Sequence, residues 1–140
     1  MTTLKERYQQ FFRMGLLIAI IIPSILLSQN PPEEFQFNQS TLQAFYFFAN
    51  VTLNGIPIES DDWLATFKGD ICVGARHWDT SNCGGGQCDV PAMGDDGSEY
   101  TAGYMINDDI PTFKIYDSSE NIYYDAIPSQ SNPWSNFGFF

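Results

Sequence analysis

From residue 30 onward the chain lacks any helical period, and this constrains its fold more than any other feature. Short runs of β-branched and aromatic residues instead alternate with clusters of Gly, Pro, Asn, Asp and Ser. Strands broken by turns give this pattern. The runs predict strands at residues 43–53, 63–68, 71–78, 101–106, 111–116, 122–127 and 134–140. Seven short strands within about 110 residues predict an all-β domain, an antiparallel β-sandwich of jelly-roll or immunoglobulin-like type.

Two hairpins follow from particular residues. Trp63 to Phe67 and Ile71 to Ala75 flank Lys68-Gly69-Asp70, and a glycine beside an aspartate suits the positive φ of a tight turn. Alternation puts Trp63, Ala65 and Phe67 on one face and gives Ile71, Val73 and Ala75 a common face in the second arm. The second hairpin joins Thr112 to Asp117 and Ile122 to Ala126 through Ser118-Ser-Glu-Asn121, with Phe113 and Ile115 facing the core.

The start of the chain reads differently. Residues 1–13 are polar with a net positive charge, and residues 14–27 carry no charge. This layout predicts a signal peptide over residues 1–28, since 14 residues fall short of the roughly 20 a spanning helix needs. An uncleaved N-terminal anchor and a pilin-like assembly helix are the other readings. Residues 29–36 read as a polar linker and residues 37–140 as the sandwich module.

The net charge of −11 over 140 residues is uneven, because residues 30–140 hold 3 bases against 16 acids. Nucleic acid is excluded as a partner, since phosphate binding needs clustered cations. The acids fall mainly in predicted turns. Loops that gather carboxylate and carbonyl oxygens bind calcium at extracellular levels. Asp95, Asp96 and Glu99 are the first candidates for calcium, with Asp79 and Asp89 as further ligands. The plainer reading is that Asp suits turns and that acids keep an exported chain soluble.

Cys83-Gly-Gly-Gly-Gln-Cys88 predicts a disulfide in an exported protein, with the glycines supplying the bends. Chain entropy alone does not separate it from a bridge involving Cys72: about 2 kcal/mol for the small ring against about 3 for the larger. Cys72, His77, Cys83 and Cys88 also make a loose zinc set, with spacings wider than those of zinc knuckles. With one histidine and no serine in a strained strand-to-helix turn, catalytic residues are not expected.

Aromatics offer another chemistry. Tyr46, Phe47 and Phe48 are consecutive, so on a strand at least one ring leaves a single core; Tyr123, Tyr124 and Trp134 raise the same question. Exposed rings stack on sugars or on protein partners. Asn38-Gln-Ser40 and Asn50-Val-Thr52 match the N-glycosylation tripeptide.

Residues Asp62-Trp-Leu-Ala-Thr-Phe67, Gly69-Asp-Ile-Cys-Val-Gly-Ala75, Asp89-Val-Pro91, Met93-Gly-Asp-Asp-Gly97 and Phe113-Lys-Ile-Tyr-Asp117 together resemble an extracellular β-sandwich module of large secreted bacterial proteins. Such proteins often carry a sorting domain for type IX secretion. The resemblance implies a secreted or cell-surface module without catalytic activity, and carries no binding residues with it. The chain departs from that pattern in holding one copy without a sorting domain. Its ending in Trp134-Ser-Asn-Phe-Gly-Phe-Phe140 predicts a truncated chain or a last strand completed by a partner.

The sequence therefore predicts a secreted or cell-surface, non-catalytic binding or adhesion module. Calcium is its candidate cofactor, and an extracellular glycan or protein its partner. A structural subunit assembled through the N-terminal helix is the alternative, and a small carbohydrate-active enzyme the third reading.

Overall fold

The computed structural model describes residues 30–140; the expected signal peptide, residues 1–28, lies outside the described residues. Among the described residues eight strands follow one another: β1 (Gln43–Phe48), β2 (Thr52–Leu53), β3 (Ile56–Pro57), β4 (Trp63–Lys68), β5 (Ile71–His77), β6 (Cys88–Met93), β7 (Thr112–Asp117) and β8 (Ile122–Ala126). All strand pairs are antiparallel. They form a four-stranded sheet in the order β5-β4-β7-β8, a two-stranded sheet β1-β6 and the small hairpin β2-β3. Among the described residues the helices are single 3-10 turns, and none is long and apolar enough to cross a membrane. The fold is all-β.

Both expected hairpins form. Lys68 pairs with Ile71 across Gly69-Asp70, where Gly69 takes φ 58°, and Asp117 pairs with Ile122. The faces of the first hairpin differ from strict alternation. The register slips between Thr66 and Phe67, which pair with Gly74 and Cys72 and leave Val73 bulged. Cys72 therefore joins Trp63, Ala65 and Phe67 on one face, and Val73 packs with Leu64, Phe113 and Ile115 on the other.

Strand β4 is buried along nearly its whole length because both faces of its sheet are covered. One face shares a single apolar cluster with Ala44 and Tyr46 of β1 and Val90 and Ala92 of β6. The other is closed by Phe35, which a 3-10 turn over Glu33–Phe35 carries edge-on to Phe67 and Tyr123 at 5.7 and 5.3 Å. Phe35 belongs to the stretch read as a linker, yet it is fully buried.

Strand β6 was not expected, because Pro91 interrupts it. Pro91 sits opposite Phe45, whose own N–H bonds Gly138 instead, so the missing proline N–H costs no ladder bond. The Pro91 carbonyl accepts from the Thr66 hydroxyl and lies over Gly74, where an added Cβ would run into it. A glycine is required there for β6 to rest on β4 and β5.

Three expected strands are revised. The run over 43–53 breaks after Phe48, and β2 then turns through Asn54-Gly55, both at positive φ, into β3. The run over 101–106 is a 3-10 turn over Glu99–Thr101 followed by a single bridge between Met105 and Gly94, with Gly103 at φ 83° breaking extension. The run over 134–140 forms one bridge, Phe139 to Phe45, yet Gly138 and Phe140 exchange backbone hydrogen bonds with Phe45 and Phe47. The C-terminal segment thus lies parallel along β1.

Candidate functional site

The five acids proposed for calcium are not drawn together. Asp95 accepts from the backbone N–H of Gly97 and Gly103 at 3.0 and 3.3 Å. Asp96 accepts from the Thr101 hydroxyl at 2.6 Å, from Ser98 N–H at 3.1 Å and from Thr41 N–H at 3.0 Å. Those partners, the Thr101 hydroxyl first, hold its carboxyl far below the usual carboxylate range. Glu99 lies exposed in its short turn. Asp79 caps another 3-10 turn, Thr80–Asn82, and binds the Ser81 hydroxyl and the Asn82 amide. Asp89 pairs with Arg76 at 2.6 Å. Among the described residues no three His, Cys, Asp or Glu side chains are grouped to hold a metal ion. The carboxylates are spent shaping loops, as short acidic side chains do beside free amides.

Cys83 and Cys88 form the expected disulfide, with Cα atoms 5.1 Å apart and Gly85 and Gly86 at φ 66° and 75°. Bonded sulfurs remove the zinc set. Cys72 is a free thiol buried in the second cluster, and that burial pushes it up to about 11, against a weak bond to the Gly74 carbonyl. His77 packs edge-on to Trp63 at 5.1 Å.

The aromatic question resolves ring by ring. Tyr46 and Trp134 are buried, the Trp134 indole N–H donating to Ala92 O at 2.9 Å. Tyr123 packs on Tyr116 and Phe35. Phe47 leaves the core: it and Phe139 are 44% and 69% exposed. Phe139 stacks between Phe45 at 5.5 Å and Phe47 at 6.3 Å, a ridge of three rings on the outer side of β1 and the C-terminal segment.

A second feature had no signal in the sequence. The chain from Phe48 to Asn54 and the chain from Tyr124 to Ser129 bound a cleft of about 540 Å³. Phe48 and Tyr124 supply rings, and Asn50, Thr52 and Asn54 supply polar groups. Tyr124 is held by its hydroxyl, which donates to Glu120 at 2.8 Å.

The chain matches no family model, no curated protein and no solved structure.

Proposed function

We propose that this chain is an exported, non-catalytic binding module, built as a β-sandwich that holds a partner outside the cell. The observation that carries the reading is the ridge of Phe45, Phe47 and Phe139. A chain with so many acids has ample polar alternatives for solvent-facing strand positions, and three stacked rings there suit an apolar recess on a partner protein. The single apolar cluster between the two sheets supports the sandwich reading. The apolar leader and the Cys83–Cys88 bridge support export to an oxidising compartment. The resemblance to modules of secreted bacterial proteins points the same way.

Labelled protein added to the producing cells is expected to be retained saturably, and the double variant Phe47→Ser/Phe139→Ser to lose retention while melting within a few degrees of the native chain. Equal retention of native and variant protein contradicts the reading. The exported chain is also expected to begin near residue 29 by mass spectrometry. An intact residue 1 favours the anchored subunit instead.

A further inference from the structure

We propose that the cleft between the Phe48–Asn54 and Tyr124–Ser129 segments is a binding site for a neutral saccharide. The proposal deepens the binding-module reading and rests on it, but it uses none of the ridge phenylalanines. Three observations carry it.

The first is the chemistry of the lining. Asn50 and Asn54 each offer an amide donor and acceptor, and Thr52 offers a hydroxyl. A sugar hydroxyl both donates and accepts, so it is satisfied by such a mixed set. Phe48 and Tyr124 add ring surface for the C–H face of a pyranose, in the way aromatic side chains pack on apolar ligand faces. A small number of polar groups converging over an apolar lining is the usual make-up of a ligand pocket, and the volume falls in the ordinary range.

The second is charge. The lining holds no lysine or arginine, within a segment of 3 bases and 16 acids. Phosphorylated, sulfated or uronic-acid ligands would meet repulsion with no cation to offset it.

The third is preorganisation. One wall is fixed by the Asn54-Gly55 turn, whose two residues hold φ 53° and 81° and close the pairing of Leu53 with Ile56. The other is fixed by the Tyr124 hydroxyl bound to Glu120 and by the pairing of Tyr124 with Ile115. A site whose walls do not reorganise loses less on binding.

The test titrates the full exported chain, by heteronuclear NMR, with cello-, manno-, xylo- and chito-oligosaccharides. Oligogalacturonate is the acidic arm and an unstructured apolar-basic peptide the peptide arm. At least one neutral oligomer is expected to bind saturably and to move the amides of Asn50–Asn54 and Tyr124–Ser129. Asn50→Ala and Thr52→Ala, both on exposed residues, are each expected to weaken that binding about tenfold, the size of one lost hydrogen bond, without a change in melting. Phe47→Ser/Phe139→Ser should leave it unchanged, so loss of cell retention and loss of sugar binding are separately readable. Binding of the acidic oligomer or the peptide in preference, shifts confined to other surfaces, no saturable neutral ligand, or affinity indifferent to both alanine variants overturns the proposal.

Discussion

At the scale of single residues the fold turns on a contact where three backbones converge. Thr66 in β4 directs its hydroxyl to the carbonyls of Pro91 and Gly74, and all three residues are buried. Gly74→Ala would push a methyl group into the Pro91 carbonyl, and is expected to cost about 3 kcal/mol in urea unfolding. Thr66→Val keeps the shape but strands the Pro91 carbonyl, so about 1–3 kcal/mol should be lost, and Thr66→Ser should restore most of it. Cys72 supplies a chemical reading of the same packing. With its thiol buried and pushed to about 11, it should resist iodoacetamide at pH 8 in the folded chain and react once the chain unfolds. Little of this was legible in the sequence. Gly74 sits in a run that reads as an ordinary strand, and its need for a bare Cα exists only because β6, 14 residues further on, crosses above it.

At the scale of elements, the two hairpins and the disulfide were legible because their determinants are local. Gly69-Asp70 turns the chain, alternation gives each strand a buried face, and three glycines let Cys83 reach Cys88. Removing that bridge in the double variant Cys83→Ala/Cys88→Ala is expected to cost about 2 kcal/mol. Its melting temperature should fall by roughly 5–10 °C. Strand β6 was not legible, since Pro91 reads as a loop until Phe45 is seen to bond Gly138 on its other side. Nor was the fate of residues 101–106: Gly103 at positive φ ends extension there, and Asp95 takes its N–H.

The loop that Asp96 organises makes a pH-dependent contribution. Folding lowers its carboxyl below the unfolded value near 3.9, so the stabilisation is complete above that pH and is lost as pH falls through the folded value. Asp96→Asn should be less stable than the native chain at pH 7, and should lose less of its stability between pH 5 and pH 2. Parallel acid limbs for the two proteins would contradict this role.

At the scale of the whole molecule, the acids proposed for calcium serve loop architecture, and the candidate binding surfaces lie elsewhere. The calcium reading failed to gather support because a spacing such as Asp95-Asp96 to Glu99 does not reveal which oxygens are already taken by amides. Millimolar calcium is accordingly expected to leave the melting temperature unchanged, since a ligand bound only by the folded state would raise it. The ridge was half legible: three consecutive aromatics had to send one ring outward, but its neighbour Phe139 arrives from a segment 92 residues away in sequence from Phe47. The cleft was invisible in the sequence, being assembled from Phe48–Asn54 and Tyr124–Ser129 only when β8 takes its place at the edge of the sheet.

On the proposed reading the chain binds a partner and does not transform it. The most direct measurement is a single NMR sample of the chain with a neutral oligosaccharide that saturates it, followed for days. Saturable shifts along Asn50–Asn54 and Tyr124–Ser129 are expected, with the sugar's own signals unchanged. Shifts centred elsewhere, or the steady appearance of shorter sugar products, would contradict it.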